Sequence, residues 1–538
     1  MSARLVPLGG LGEFGANSML VEAGGESVLI DAGAAFTELD AFGISYEVPD
    51  FAALGAAAPA HALFTHGHDD HLRAAGSLLE AFPATKVWGS RATLARAEGL
   101  AAVGHDGFEE LRAGVPNPVG PMTVEALAVS HSIPGSLVLR LSGEAGTLVV
   151  ATDLRLATSA LGEETSREAL AGWGRDGVDV LMLDATNALV EREPPSEAAV
   201  GETLAALVRR ARGAVFAVTF ASHVGRFKQL ALAARDSGRV VVPMGRGLVE
   251  TLEVHAALGG LGLPTGLVRR ARELPDLPRD RVLVVATGSQ GEPAAAFSRL
   301  AADRLPGVAI EPGDLVIHAA RVIPGSGRRL AHLFDHAVRR GARVVTAAEA
   351  PVHASGHAHR AELREMIGLL RPRTVLPVHG RRRNLQAIAD LAAESGCRTL
   401  VVENGEEIEW LGDAVEVTGT RRGVGRILFD DVGEETVDPA LLRHRRTMAQ
   451  DGVLVAVLER SPHGDTVPGA VQLHAVGLDL GRDAVRMADE LAAELRRASP
   501  LLTGDPDWLR STMSQWLRSE LRRRFKRRPA VVALVMEN

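Results

Sequence analysis

Cysteine, aromatic residues and long apolar runs are all scarce in this chain, and each scarcity narrows what it can be. A single cysteine, Cys397, stands among 538 residues. No intramolecular disulfide can form, and any metal site must rely mainly on histidine and carboxylate, which fits a cytoplasmic enzyme. Aromatic residues make up 4% of the chain, with one tyrosine, leaving few flat surfaces for stacking against unpaired bases. No run of about 18 apolar residues occurs, so a membrane span is not expected. The opening MSARLVPLGG has no apolar signal core and passes straight into a strand-like run. The net charge of −8 argues against coating nucleic acid by bulk positive charge. Basic residues gather instead in LRRRFKRR at 521–528 and in knots at 381–383 and 443–446, runs that are more often solvated helix faces than binding sites.

The remaining composition, 46% hydrophobic and 23% charged, is that of a globular protein long enough for about three domains. Short β-type runs at 5–7, 18–22, 27–31 and 62–65 are followed by amphipathic helices at 72–80 and 91–97. Strands resume at 122–129, 136–141, 146–152 and 178–184. From about Ser196 the rhythm becomes alternating helix and strand, with helices at 197–212 and 226–237 and strands at 214–219, 239–243, 282–287, 315–318 and 342–346, the signature of a mainly parallel sheet. The last region carries a strand at 453–458, helices at 483–497 and 508–526 and a strand at 530–536. Gly10-Leu-Gly12-Glu-Phe-Gly15 matches the dinucleotide pattern GxGxxG, but the next residues alternate like two strands around Gly24-Gly25. The cofactor motif needs a helix opening there, so these glycines read as tight turns before a hairpin.

The feature that carries chemistry is FTHGHDDHL at 64–72, three histidines and two aspartates in six positions. Packing imidazoles and carboxylates together unpaired is costly. His66, His68, Asp70 and His71 fit HxHxDH, in which residues two apart converge on one ion and the adjacent Asp-His pair turns to a second; Asp69 is the bystander. Zinc or manganese accepts such N and O donors. A two-ion site needs about seven donors, and the others stand at the ends of strand-like runs: His131 after TVEALAVS, Asp153 after TLVVAT and His379 after TVLPV.

In this order, LIDAG with Asp31, THGHDDH, the SHSIP histidine, the ATD aspartate and the PVHG histidine resemble the metallo-β-lactamase superfamily. The intervening half, with LDATNA, Ser196-Glu197, FASHVGR, ATGSQGEP at 286–293, HASGHAH at 353–359 and PVHG, resembles the β-CASP nucleases and, among them, the bacterial ribonuclease J branch, over essentially the whole chain. The resemblance implies an α/β protein: a metallo-β-lactamase αββα sandwich (1–204, resumed at 358–430), an inserted β-CASP α/β domain (205–357), a linker (431–446) and a small C-terminal α+β domain (447–538). It implies one ion on His66, His68, His131 and Asp153 and a second on Asp70, His71 and His379, with Asp153 bridging. The two ions would be Zn²⁺, with Mn²⁺ or Mg²⁺ as alternatives. Asp31 would orient the site, and Asp184, His357 and Asp70 would be catalytic. The loop His353, Ala354, Ser355, Gly356 and His357 would cradle a substrate phosphate, with Ser222 and His223 near the RNA. ATD stands where the family has TGD, Gly135 where it has an acidic residue, and Arg73-Ala74-Ala75 where it has glycines; none of these removes a ligand.

The chemistry this implies is hydrolysis of single-stranded RNA, from the 5′ end or internally, in RNA maturation and decay, with His357 as general acid. The resemblance also implies a homodimer or homotetramer through the C-terminal domain. Two rivals stand beside it, a small-molecule hydrolase of esters, thioesters or lactams and a catalytically weak RNA-binding subunit. The 226 positions between Asp153 and His379 leave room for a domain that clamps a polymer, and the intact ligand set speaks against the degenerate subunit.

Overall fold

The computed structural model describes residues 2–37, 39–101, 104–323, 325–411, 414–430, 435–460, 466–481, 483–498 and 505–537. It divides into two units, 1–36 with 47–426, and 37–46 with 427–538.

The larger unit is built on two mixed sheets. One runs Ala414–Arg421, Glu406–Leu411, Ala3–Gly9, Ser18–Ala23, Glu26–Ile30, His61–Leu63, Lys86–Gly89 and Phe108–Glu110. The other runs Arg398–Thr399, Thr374–Val378, Val180–Asp184, Gly146–Ala151, Leu137–Gly143, Met122–Ala128 and Asn117–Val119. One core joins them, with Leu5, Val21 and Ile30 from the first sheet and Val124, Leu139, Val150, Leu181 and Leu376 from the second, all buried. This is the sheet-on-sheet packing expected when each sheet buries one face. Within the second sheet Gly146–Ala151, Val180–Asp184 and Thr374–Val378 run parallel in register, so their C-terminal ends, where Asp153, Asp184 and His379 sit, share one edge.

Between Asp184 and Thr374 the chain builds a five-stranded parallel sheet in the order Val240–Met244, Val282–Ala286, Val215–Val218, Leu315–His318 and Arg343–Val345. VFAV, VLVVA and LVIH are buried throughout, as strands covered on both faces must be. Separate apolar clusters occupy the two faces.

The smaller unit holds a three-stranded sheet, with Val453–Arg460 between Thr466–Val476 and Ala530–Glu537. Leu509, Met513, Leu517 and Leu521, four residues apart on helix Pro506–Phe525, pack with Leu491 and Leu495 onto Leu454, Ala456 and Leu458. The opposite sheet face leaves Val532, Leu534 and Met536 exposed.

The structure corrects the sequence reading in three places. The helix expected over 72–80 is two pieces, Asp69–Leu72 and Ala75–Ala81, because the first turn starts inside the histidine motif. The segment read as a linker is in part the helix Pro439–Asp451, begun by Pro439 behind Asp438, whose carboxylate caps Ala440 N. The strands Glu406–Leu411 and Ala414–Arg421 were not expected. EEIEWL alternates polar and apolar as a strand does, and it lies between Ala3–Gly9 and Ala414–Arg421 with Ile408 and Trp410 buried.

Candidate metal centre

The site lies at the strand ends of the sandwich. Asp31 follows Glu26–Ile30, His66 follows His61–Leu63, Asp153 follows Gly146–Ala151, Asp184 ends Val180–Asp184 and His379 follows Thr374–Val378. Asp31, Asp153 and His379 all have positive φ, 59°, 44° and 57°. Left-handed backbone costs a non-glycine residue about 1–2 kcal/mol, and its concentration at one edge marks a place where side-chain direction outweighs backbone comfort.

Three groups of ligand-type atoms meet there, each with its atoms within 4.8 Å of one another: His66, His68, His131 and Asp153; Asp70, His71 and His379; and Asp153, Asp184 and His357. In the first, His68 Nδ1 lies 3.0 Å from His66 Nε2 and 3.1 Å from His131 Nε2, and Asp153 Oδ2 lies 3.4 and 3.5 Å from the latter two. In the second, His379 Nε2 is 3.1 Å from Asp70 Oδ2, while His71 Nε2 and His379 Nε2 are 3.2 and 3.5 Å from Asp153 Oδ1. Asp153 thus faces both groups, one oxygen to each.

The imidazoles are also fixed from behind. His71 Nδ1 donates to Asp31 Oδ2 at 2.7 Å, and Asp31 accepts from Thr65 N at 2.8 Å. His131 Nδ1 donates to the Gly356 carbonyl at 2.7 Å, His379 Nδ1 lies 3.0 Å from the Thr186 hydroxyl, and His66 Nδ1 lies 3.1 Å from the Thr65 hydroxyl. Such outer bonds select the tautomer and aim the other nitrogen inward.

Burial, reinforced by neighbouring imidazoles, holds His66 and His68 well below the ordinary histidine range, and burial lowers His131 to about 4. On the other side burial also opposes the cation, but Asp153 and Asp31 outweigh it at His71, and Asp153 and Asp70 raise His379 to about 9. Asp153 is held well below the carboxylate range by the surrounding histidines against burial. Three neutral imidazoles and three carboxylates with one focus form a site that demands positive charge. Asp153 Oδ1 is buried, and the polar atoms that face it are the ring nitrogens of His71 and His379. These residues fit a divalent metal, whose preference for N and O donors matches the set.

Beside it, His357 Nδ1 donates to Asp184 Oδ2 at 2.8 Å, and His357 Nε2 lies 3.8 Å from Asp153 Oδ2. Against burial, Asp153 and Asp184 raise the His357 pKa. Ser355 Oγ accepts from Asn187 Nδ2 at 2.9 Å. Gly356 packs so closely that a Cβ there would meet the His131 ring at 2.9 Å.

Other expected site residues are placed differently. His353 is half-buried, and loss of water around its ring, with Arg226 nearby, lowers it to about 3, and Ala354 belongs to the inserted domain's core. His223 spends Nδ1 on Arg226 N as the cap of helix Val224–Asp236, and neither it nor Ser222 joins the three groups. Asp69 turns away to Arg96 at 3.1 Å.

Sequence reasoning missed several residues that hold the site. Asn17 Nδ2 lies 3.0 Å from His71 Nε2. Buried Arg155 binds Glu362 at 2.7 Å and the Ser355 carbonyl at 2.9 Å, and Glu362 accepts from Leu156 N and Ala157 N, bolting the Asp153 segment to the helix behind His357. Asn187 also donates to the His357 carbonyl at 3.0 Å, and its Oδ1 accepts from Arg321 at 2.6 Å. One signal was available: Glu362 stands three residues after His359, the spacing of a capping box, which the helix makes.

Comparison with known proteins agrees with this architecture. Models of the metallo-beta-lactamase superfamily, the Ribonuclease J beta-CASP domain, the Zn-dependent metallo-hydrolase RNA specificity domain and the Ribonuclease J C-terminal domain match residues 11–179, 200–337, 342–402 and 440–538. Ribonuclease J of Mycobacterium tuberculosis is 32% identical over 99% of this chain and 97% of its own. The chain belongs to the ribonuclease J family. Ribonuclease J2 of Bacillus subtilis is 31% identical over 100% of this chain and 99% of its own. A solved structure of a protein of unknown function from Enterococcus faecalis shares the fold at TM-score 0.53, with 17% identity over 76% of this chain and all of its own. The ribonuclease J fold, a metallo-β-lactamase domain with an inserted β-CASP domain and a C-terminal domain, is therefore that of this chain.

Proposed function

We propose that this chain is a metal-dependent ribonuclease that hydrolyses phosphodiester bonds of single-stranded RNA. The observation that carries the reading is Asp153, which offers one oxygen to each of two ligand groups and stands 3.8 Å from the His357–Asp184 pair. His66, His68, His131 and Asp153 would hold one divalent ion, and Asp70, His71, His379 and Asp153 a second, with zinc the best match to a set rich in histidine. When bound, the ions acidify a water and neutralise charge on the phosphoryl oxygens.

The protein's own groups do the rest. Asp31 fixes His71 through Nδ1, so Nε2 faces inward. The Asp70 side chain is 27% exposed, the part of its group open to solvent, where it orients the attacking water. Asp184 accepts from His357 Nδ1, leaving Nε2–H to give its proton to the leaving oxygen. The Ser355 hydroxyl and the backbone of Gly356 form a turn against the cluster, a cradle for a phosphate. The sandwich, 1–204 with 358–430, supplies the metal ligands, and the inserted domain, 205–357, grips the polymer, an arrangement a small-ester hydrolase would not need. The exposed apolar sheet face of the smaller unit, with Val532, Leu534 and Met536, suits self-association into a dimer or tetramer. No helix among the described residues is long and apolar enough to cross a membrane, and with one cysteine the chain suits the cytoplasm.

The test is incubation of Zn²⁺- or Mn²⁺-loaded protein with 5′-monophosphorylated and 5′-triphosphorylated RNA. Mononucleotides released from the 5′ end mark exonucleolysis, and internal fragments mark endonucleolysis. RNA binding with no cleavage of either substrate refutes the reading. His357→Ala is expected to lower kcat about 10²–10⁴-fold with metal content unchanged. The wild-type rate falls as pH rises through the raised His357 pKa, because the acid must carry its proton, and that alkaline limb disappears in the variant.

A further inference from the structure

Three arginines approach the His357 loop, and they differ in how their charge is met. Arg155 is buried against the Glu362 carboxylate. Arg226 is buried against Glu197. Arg321 is exposed, and the partner of its guanidinium is a neutral amide, Asn187 Oδ1 at 2.6 Å. A guanidinium carries five N–H donors in a planar fork suited to phosphate, so most of its capacity remains.

Its position is built, not accidental. Gln290, in the ATGSQGEP segment, clips the Arg321 loop at both ends: its Nε2 donates to the Arg321 carbonyl at 2.8 Å and its Oε1 accepts from Ile323 N at 2.8 Å. Asn187, 2% exposed, holds the guanidinium on one side and Ser355 Oγ and the His357 carbonyl on the other. The cation is therefore two hydrogen bonds from the loop that carries His357. Next to it Val322 and Ile323 are exposed, 44% and 47%, on a loop whose backbone is pinned. In a chain with 14 phenylalanines, 5 tryptophans and one tyrosine among 538 residues, an apolar ledge beside a cation is the available substitute for aromatic stacking.

We propose that Arg321 binds a backbone phosphate of the RNA flanking the scissile bond, and that Val322 and Ile323 support the adjoining base. Arg321 is a substrate-positioning residue: Asn187 ties the phosphate it holds to the Ser355–His357 turn, so gripping the strand and presenting the leaving oxygen to His357 share one frame. The inference rests on the ribonuclease reading for its substrate class, and it adds which residue reads the strand.

The experiment is equilibrium binding of a hydrolysis-resistant 2′-O-methyl oligonucleotide to the metal-loaded full chain across a salt series, with thermal unfolding as a check on folding. For single strands each phosphate contact contributes about −0.7 to the slope of log K against log salt. Arg321→Met is expected to weaken binding about tenfold and to make the slope shallower by about 0.7. Arg321→Lys is expected to restore the slope but not all the affinity, since an ammonium keeps the charge and loses the fork. A paired Val322→Ser, Ile323→Ser variant is expected to weaken binding with the slope unchanged. An Arg321→Met protein that folds and keeps the wild-type slope overturns the proposal and leaves Arg321 a brace for Asn187. Because the readout is binding, it stands whether or not the wild-type chain cleaves RNA, so failure here and failure of the nuclease reading are told apart.

Discussion

The two sides of Asp153 use the same residue types and arrive at opposite charge. On one side His66, His68 and His131 crowd together with a carboxylate oxygen, and burial and mutual repulsion keep all three imidazoles neutral. On the other side Asp70, Asp31 and Asp153 surround His71 and His379, and the carboxylates overcome the same burial to hold both rings protonated. The ratio of carboxylates to imidazoles decides the sign, while depth of burial is common to both. Without a metal, protons on His71 and His379 occupy the place of the missing positive charge. The neutral side has its nitrogens ready as ligands, whereas the acidic side must release protons to bind.

The largest effect that can break this comparison comes from the residue the sides share. Asp153→Asn removes a negative charge from both groups at once. RNA cleavage is expected to fall by at least about 10³-fold, and metal content, measured by elemental analysis, to fall at both positions. Retention of one full metal equivalent with the other lost would mean that the sides are independent and that Asp153 does not bridge them.

A smaller but more discriminating outcome is the pH dependence of the metal-free protein. His379 is raised to about 9, so its contribution is complete below about 6.5 and is lost as pH rises through 9. His131 is lowered to about 4. Its folded form refuses a proton that the unfolded chain accepts, so stability is lost as pH falls from about 6.5 through 4. Each of these two histidines taken alone amounts to on the order of 3 kcal/mol. The unfolding midpoint of the chelated protein should therefore decline in both directions, and metal should flatten the alkaline decline by displacing the His379 proton. His379→Gln should shrink the alkaline decline to the share carried by His71 and His357, whose pKa values are also raised, and leave the acid one. A variant that changes both would show that the sides titrate as one.

How much of this was readable beforehand follows from how far apart the partners stand. Four ligand-type residues sit within six positions at 66–71, and His131, Asp153 and His379 each follow an apolar run that stops abruptly. Local pattern suffices for these, because a strand that ends in a polar residue advertises both its direction and its end. The frame behind them is invisible to local pattern. Arg155 and Glu362 are 207 positions apart, and Asn187 and Arg321 are 134 apart; neither pair leaves a periodicity. The capping role of His223 was equally invisible: it is buried and accepts from Arg226 N at the start of helix Val224–Asp236, a bond that the resemblance did not imply. The strands Glu406–Leu411 and Ala414–Arg421, the second of them at the sheet edge, join the first strand of the chain, a long-range pairing that no window of sequence contains.

The smallest expected effect tests whether the neutral side depends on the loop that carries His357. His131 is held by the Gly356 carbonyl, and a Cβ on Gly356 would lie 2.9 Å from the His131 ring and 3.1 Å from Ser132 Oγ. The first contact is closer than side chains tolerate and the second is tight, so Gly356→Ala must push the ring, the turn or both by a few tenths of an ångström. A shift of that size in a positioned group is enough to slow a reaction without unfolding the protein. About a tenfold loss of kcat on RNA is expected, with the unfolding midpoint of the metal-loaded protein within a few degrees of wild type. The direction of the strain is the informative part. If the ring moves, metal affinity on the three-histidine side falls and excess Zn²⁺ restores the rate. If the turn moves, metal affinity is unchanged and the loss persists at saturating metal, which would place the sensitivity in His357 and make the neutral side a rigid base against which the catalytic loop is set.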